Sequence, residues 1–256
     1  MDYTQELSLA VDLACRAGAI QMGGKAKGLD VERKADDSPV TAIDRACEAL
    51  IMEGLQEAFP EDGFLGEETG AQAGTSGRTW IVDPLDGTRP FIRGIPTHSC
   101  LIALEDAGDP VVGVIHLPAM NEIYRAATGC GAFLNEQPIR VSDTRSLSDA
   151  MGSALGQVER MNEPIGKQLL AAMHAWDYTY GFMDNYSYGC VACGRLDLAI
   201  SLLDKPWDSA AAACIVREAG GAFSDIEGNR TVHNGSTVLS NGFLHDAILE
   251  RLQARG

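Results

Sequence analysis

The segment Ile81-Val82-Asp83-Pro84-Leu85-Asp86-Gly87-Thr88 constrains this chain more than any other. An apolar strand pattern runs directly into two carboxylates three residues apart, a Pro-Leu step separates them, and a glycine and a hydroxyl follow. Pro84 cannot donate to a sheet ladder, and with Gly87 it fixes a tight turn. Both carboxylates are then expected to face one pocket with a backbone carbonyl between them, a hard-oxygen arrangement suited to Mg2+. Taken alone, an Asx-type turn after a strand explains Asp-x-x-Asp-Gly more economically.

Net charge sharpens the choice. At −16 the chain lacks the clustered Lys and Arg with which nucleic-acid binding begins, so a nucleic-acid partner is not expected. The same field repels small anions, so an acidic protein acting on phosphate esters needs local positive charge from metal cations or helix amino termini. The first residues, Met1-Asp2-Tyr3-Thr4-Gln5-Glu6, show no basic segment followed by an apolar run, and no later stretch has the length of a membrane span. The expectation is a cytoplasmic protein without a membrane partner. Seven scattered cysteines read as reduced core thiols rather than a disulfide framework.

Periodicity gives the organisation. Leu7, Ala10, Val11, Ala14, Gly18 and Met22 recur at helical spacing, which predicts a helix ending near Gly23-Gly24. A second helix starts at Thr41 as N-cap with Asp44 three residues on; Ile43, Cys47, Leu50, Ile51 and Leu55 form its apolar face, and Pro60 and Gly63 mark its exit. Short β-rich runs follow at Thr79–Val82, Ser99–Leu104, Val111–Leu117 and Glu122–Thr128, predicting a largely antiparallel sheet. Alternating elements return after Ser142: helices Glu163–Ala175 and Tyr188–Cys193, a strand Leu196–Leu202, a helix Asp208–Ala219 stopped by Gly220-Gly221, and a last helix Gly242–Gln253. We expect one domain over residues 1–256 with lobes of about 1–142 and 143–256 sharing a cleft.

Two further acidic features stand near the first. Gly66-Glu67-Glu68-Thr69-Gly70 alone reads as a solvated loop, and Asp208 in Pro206-Trp207-Asp208 alone reads as an N-cap. Cys190-x-x-Cys193 lacks a second cysteine pair and reads as core thiols, and the isolated His98 and His116 read as satisfied structural residues. Together, however, Gly66-Glu67-Glu68, Asp83–Thr88 and Trp207-Asp208-Ser209-Ala210-Ala211 stand in the order seen in the inositol monophosphatase family. Lys34 with Val40–Asp44, Gly113–Pro118, Gly194-Arg195-Leu196-Asp197 and Glu218–Gly221 extend the resemblance over nearly the whole chain.

That resemblance implies a layered αβαβα sandwich of the inositol monophosphatase/fructose-bisphosphatase type, two lobes with the active site between them. It implies a Mg2+-dependent phosphomonoesterase acting on a small phosphorylated metabolite, with two or three Mg2+ ions per site, assembled as a homodimer. Carried over, it makes Glu67, Asp83, the Leu85 carbonyl, Asp86 and Asp208 metal ligands, and Gly87 and Thr88 the phosphate contacts. Glu67 and Thr88 become the pair that orients and deprotonates water, with Glu68 and Asp44 behind them. Arg89 directly after Thr88, Phe91-Ile92 and Asp184-Asn185-Tyr186 look most like the histidinol-phosphatase branch, so Asp86, Arg89, Asp184 and Asp208 are the expected substrate contacts. An Asp beside aromatic faces suits an ammonium and an imidazole. The chain departs from the family pattern at Pro90, and at Ser201, where many members carry an acid that Asp204 would replace. Inositol-1-phosphate, fructose-1,6-bisphosphate and adenosine 3′,5′-bisphosphate remain alternative substrates. A non-catalytic metal- or phosphate-binding module is disfavoured because every expected carboxylate is present.

Overall fold

In a computed structural model of the chain, residues 2–25, 31–33, 39–181 and 184–254 are described; Lys34 lies outside them. The amino-terminal stripe folds as α1, Thr4–Lys25, and the capped one as α2, Ala42–Ala58. The expected cap is present: the Ile43 amide donates to Thr41 Oγ1 at 3.2 Å and the Thr41 amide to Asp44 Oδ2 at 2.8 Å, closing a capping box. A short antiparallel pair, β1 (Val31–Arg33) and β2 (Pro39–Thr41), precedes α2.

The four expected strands are β5 (Arg78–Asp86), β6 (Ser99–Asp106), β7 (Asp109–Leu117) and β8 (Glu122–Ala127), paired antiparallel in sequence order. With β3 (Gly63–Gly66), β4 (Gly70–Gln72), β9 (Gly131–Leu134) and β10 (Gln137–Ile139) they form an eight-stranded sheet, ordered β10-β9-β8-β7-β6-β5-β3-β4. Strand β3 runs parallel to β5; its two apolar residues between glycines are too short a run to read as a strand. A helix, α3 (Thr88–Arg93), leaves the end of β5.

The remaining chain builds a five-stranded sheet from β11 (Met151–Leu155), β12 (Tyr178–Tyr180), β13 (Leu198–Ser201), β14 (Ala222–Ser224) and β15 (Thr237–Ser240), ordered β12-β11-β13-β15-β14. Its helices are α4 (Pro164–Met173), α5 (Asn185–Ala192), α6 (Pro206–Glu218) and α7 (His245–Gln253). Three boundaries differ from expectation for local reasons. Helix α5 starts at Asn185 because the Ser187 amide already bonds the Asp184 carbonyl at 2.9 Å. Helix α7 starts three residues late because Gly242 sits at φ +84°, in the left-handed region. Asp208 is not the N-cap of α6: Lys205 is, Pro206 opens the helix, and Asp208 accepts from the Lys205 amide at 2.6 Å.

Alternation along the strands creates three apolar layers. On β5, Trp80 and Val82 face α1 and α2 while Ile81 faces the opposite layer, and on β6 Ile102 and Leu104 oppose Leu101 and Ala103. On β13, Leu198 and Ile200 pack with α4 and α7 whereas Ala199 joins the middle layer. The stacking is therefore α1/α2, large sheet, α5/α6, small sheet, α4/α7, the αβαβα sandwich expected. Helix α6 is covered on both sides and buries Ala210 to Val216. Its alanine run lets the sheet approach so closely that a Cβ on Gly113 of β7 would lie 2.3 Å from the Ala211 carbonyl oxygen.

Because that clash is with backbone, it cannot relax by rotamer change. Gly113→Ala should lower stability by about 2–3 kcal/mol through overpacking. Equilibrium urea unfolding measures this, and an unchanged midpoint would show that α6 is not held against β7 as described.

Candidate active site

Strand β5 carries the first acids. Its pairing with β6 is regular to Asp83 opposite Leu101 and resumes at Asp86 opposite Ser99, with Pro84 and Leu85 bulged between. A bulge re-aims side chains, and here both aspartates come to one side of the strand end. The turn expected at Pro84–Gly87 is thus a bulge inside β5 followed by Gly87 at φ +76°. Asp83 also makes the Asx-type bond, accepting from the Leu85 amide at 2.9 Å through Oδ1. Asp83 thus makes the Asx-type bond and still presents a carboxylate oxygen to the other acids. Gln21 of α1 pins the bulge: Nε2 donates to the Pro84 carbonyl at 2.8 Å, and Oε1 meets His98 Nδ1 at 3.0 Å.

Other elements deliver the remaining residues. The Glu67 amide bonds the Val82 carbonyl at 3.2 Å, which sets Glu67 beside the end of β5. Glu48, buried on α2, accepts from the Glu68 amide at 2.9 Å and the Thr69 amide at 2.8 Å. Gly66 is required there, since a Cβ would stand 2.5 Å from Glu48 Oε1. The Thr88 hydroxyl has the Leu85 carbonyl at 3.2 Å and Asp44 Oδ1 at 3.3 Å as acceptors. Asp44 is thus both the expected capping carboxylate and a partner of Thr88.

Asp208, from the first turn of α6, completes the centre: single carboxylate oxygens of Asp83, Asp86 and Asp208 lie within 4.8 Å of one another. Burial, then Glu67, Asp86 and Asp208, pushes Asp83 well above the usual carboxylate range. Burial, then Asp204, does the same to Asp208. Asp86 is raised by burial but held back by the Asn185 amide, at 3.0 Å from Oδ2, and the Ser99 hydroxyl at 2.9 Å. Carboxyls this crowded, with Asp83 buried and Asp86 and Asp208 half-buried, call for a counter-charge once ionised. All the donors are hard oxygens, which fits Mg2+ and not the softer sites preferred by zinc.

A cavity of about 120 Å3 adjoins this centre, lined by Asp86, Asp184, Asn185, Tyr188, Asp204 and Asp208 among others. The Thr97 hydroxyl donates to Asp184 Oδ2, and burial, then Asp86, pushes Asp184 up to about 7. Asp204 is buried there and accepts from the Tyr188 hydroxyl at 2.7 Å, while Ser201 accepts from the Leu203 amide at 3.2 Å and turns its hydroxyl to Asp204. Arg89 does not join: it is exposed on α3 and outside the cavity lining. His98 and His116 are structural as expected, His116 Nδ1 lying 2.9 Å from the Ala14 carbonyl, and all seven cysteines are free. The sequence reading missed Gln21, Glu48, Thr97, Ser99 and Asn185; Gln21 and Glu48 were detectable as polar residues inside apolar helical stripes.

A model described as the inositol monophosphatase family matches residues 2–256. A histidinol-phosphatase from Chlorobaculum parvum is 38% identical over 93% of this chain and 92% of its own length. An inositol-1-monophosphatase from Rhizobium meliloti is likewise 38% identical, over 90% of this chain and 88% of its own. The solved structure of extragenic suppressor protein suhB from Bartonella henselae superposes with a TM-score of 0.88 at 31% identity, covering 98% of this chain and 99% of that one.

The raised carboxylates make a signed prediction. Each stabilises the metal-free fold fully only below its unfolded value of 3.8, and that contribution is lost as pH rises through the folded value, about 7 for Asp184. Without divalent cations the thermal midpoint should fall from about pH 5 to about pH 8, and the rise produced by Mg2+ should grow over the same range because bound carboxylates must be ionised. Asp83→Asn should raise the metal-free midpoint at the alkaline end and abolish the response to Mg2+. Calorimetry in chelator and in excess Mg2+ checks both; an undiminished Mg2+ response in the variant would contradict the assignment of the centre.

Proposed function

The chain belongs to the inositol monophosphatase family and is a phosphoric monoester hydrolase, and from that premise we propose that it is Mg2+-dependent with histidinol phosphate as its substrate. One observation carries the choice of substrate: a carboxyl group, that of Asp184, anchored by Thr97 in the cavity beside the acidic centre. A neutral polyol does not need it, whereas an amino alcohol does. Identity to relatives does not choose, since proteins of either name stand at 38%.

Glu67, Asp83, the Leu85 carbonyl, Asp86 and Asp208 are the residues that would hold the metal. Mg2+ ions bound there supply charge neutralisation and Lewis-acid activation of the ester and its attacking water. The protein's own contribution is geometric. Gly87 and Thr88 open α3, whose first amides have no intrahelical acceptor and face an anion favourably. The Thr88 hydroxyl passes its hydrogen bond to Asp44 or the Leu85 carbonyl, so its oxygen is free to accept from a water and orient it. Glu67 is the carboxylate proposed to receive that water's proton. Attack forms one P–O bond and breaks the ester P–O bond, releasing inorganic phosphate and the alcohol, whose alkoxide takes up a proton.

Three outcomes are expected. Among histidinol phosphate, inositol-1-phosphate, fructose-1,6-bisphosphate and adenosine 3′,5′-bisphosphate, kcat/KM should be highest for the first; preference for another overturns the substrate while leaving the phosphatase. Asp184→Asn should lower kcat/KM for histidinol phosphate by about 10–150-fold, the equivalent of one charge-assisted hydrogen bond, and barely affect inositol-1-phosphate. Thr88→Ala should lower kcat by about 100-fold or more with little change in Mg2+ affinity. A change confined to KM would make Thr88 a binding residue only.

A further inference from the structure

Two buried side-chain oxygens beside the acidic centre have no hydrogen-bond partner: Asp184 Oδ1 and Asn185 Oδ1. Asn185 is 2% exposed, so bulk solvent does not reach it. Its orientation is fixed by chemistry, because Nδ2 donates to the Asp208 carbonyl at 2.9 Å and a flipped amide would set oxygen against oxygen. Oδ1 is therefore the atom left over. On Asp184, Thr97 occupies Oδ2. The Tyr186 amide faces the carboxylate and favours its charged form without closing a bond to Oδ1.

Both residues line the same small cavity, whose other walls include Asp86, Asp204 and Asp208. Unpaired buried acceptors are costly unless a ligand completes them. The pair asks for a compact cation with at least two hydrogens directed to one side. A hydroxyl has a single hydrogen and serves one acceptor. The two N–H groups of an imidazolium diverge and do not serve neighbouring acceptors together. A primary ammonium, with three donors on one atom, does.

We propose that Asn185 is a recognition residue, and that Asp184 Oδ1 and Asn185 Oδ1 jointly accept hydrogen bonds from a primary ammonium carried close to the phosphate ester. The inference rests on the phosphatase reading above and deepens it, replacing a single charge contact by a two-point subsite specific for R–NH3+. It predicts that the ammonium, not the imidazole, is the group read in this cavity, so a substrate lacking the ring still gains from it.

The test uses the Mg2+-loaded enzyme and two small esters of matched size, O-phosphoethanolamine and n-propyl phosphate. The quantity read is the ratio of their kcat/KM values, in which general damage to the centre cancels. The wild-type ratio should exceed about 10, the scale of one charge-assisted hydrogen bond, and Asn185→Ala should reduce it by about 5-fold or more. Asn185→Ser, which removes the amide oxygen while keeping a small polar group, should reduce it likewise, and this variant decides the matter if the alanine variant does not fold. A wild-type ratio near one, or an unchanged ratio in Asn185→Ala or in Asn185→Ser, overturns the subsite. Preference for histidinol phosphate with an unchanged ratio in Asn185→Ala would remove the subsite and keep the substrate. A ratio behaving as stated without preference for histidinol phosphate would do the reverse.

Discussion

Mutual repulsion among buried carboxylates is the constraint on which the rest of this structure depends. Asp83, Asp86 and Asp208 present oxygens within 4.8 Å of one another, with Glu67 and Asp204 adding to the field. Nothing in the repulsion itself would hold them there. They are held by backbone: a bulge in β5 for the first two, and the first turn of a helix buried on both sides for the third. The close contact of α6 with Gly113 and the Gln21 bond to the Pro84 carbonyl hold these segments in place against that repulsion.

The same framework ties the acidic centre to the adjoining cavity. Residues Thr97 and Ser99, two apart, bond Asp184 and Asp86 respectively, and the Asn185 amide also bonds Asp86. The acidic centre and the cavity thus share one strand start and one helix start. Asp184 cannot move without disturbing Asn185, the residue next to it that braces Asp86.

Strands β5 to β8 were legible because each is a long apolar run bounded by turn residues, whereas β3, β9 and β10 have four residues or fewer and no period to detect. The acids were legible from their spacing and order, which the fold then brings together from three segments. The bracing residues were not, because their role arises only from tertiary contact: Gln21 reaches Pro84 across 63 residues and Asn185 reaches Asp86 across 99. Gln21 continues the buried stripe of Ala10, Ala14 and Ala17, and Glu48 sits in the stripe of Cys47, Ile51 and Leu55, so each violates its pattern at a place where the site needs it. The N-cap reading of Asp208 failed because Pro206 moved the helix start forward.

A chain of net charge −16 needs local positive charge to receive an anionic ester, and in the proposed function cations in the carboxylate centre supply it. The most direct test is release of inorganic phosphate from histidinol phosphate by chelator-stripped protein as free Mg2+ is added back. No turnover above background is expected in chelator, with saturable recovery as Mg2+ is added. Full turnover in excess chelator would contradict the Mg2+ requirement.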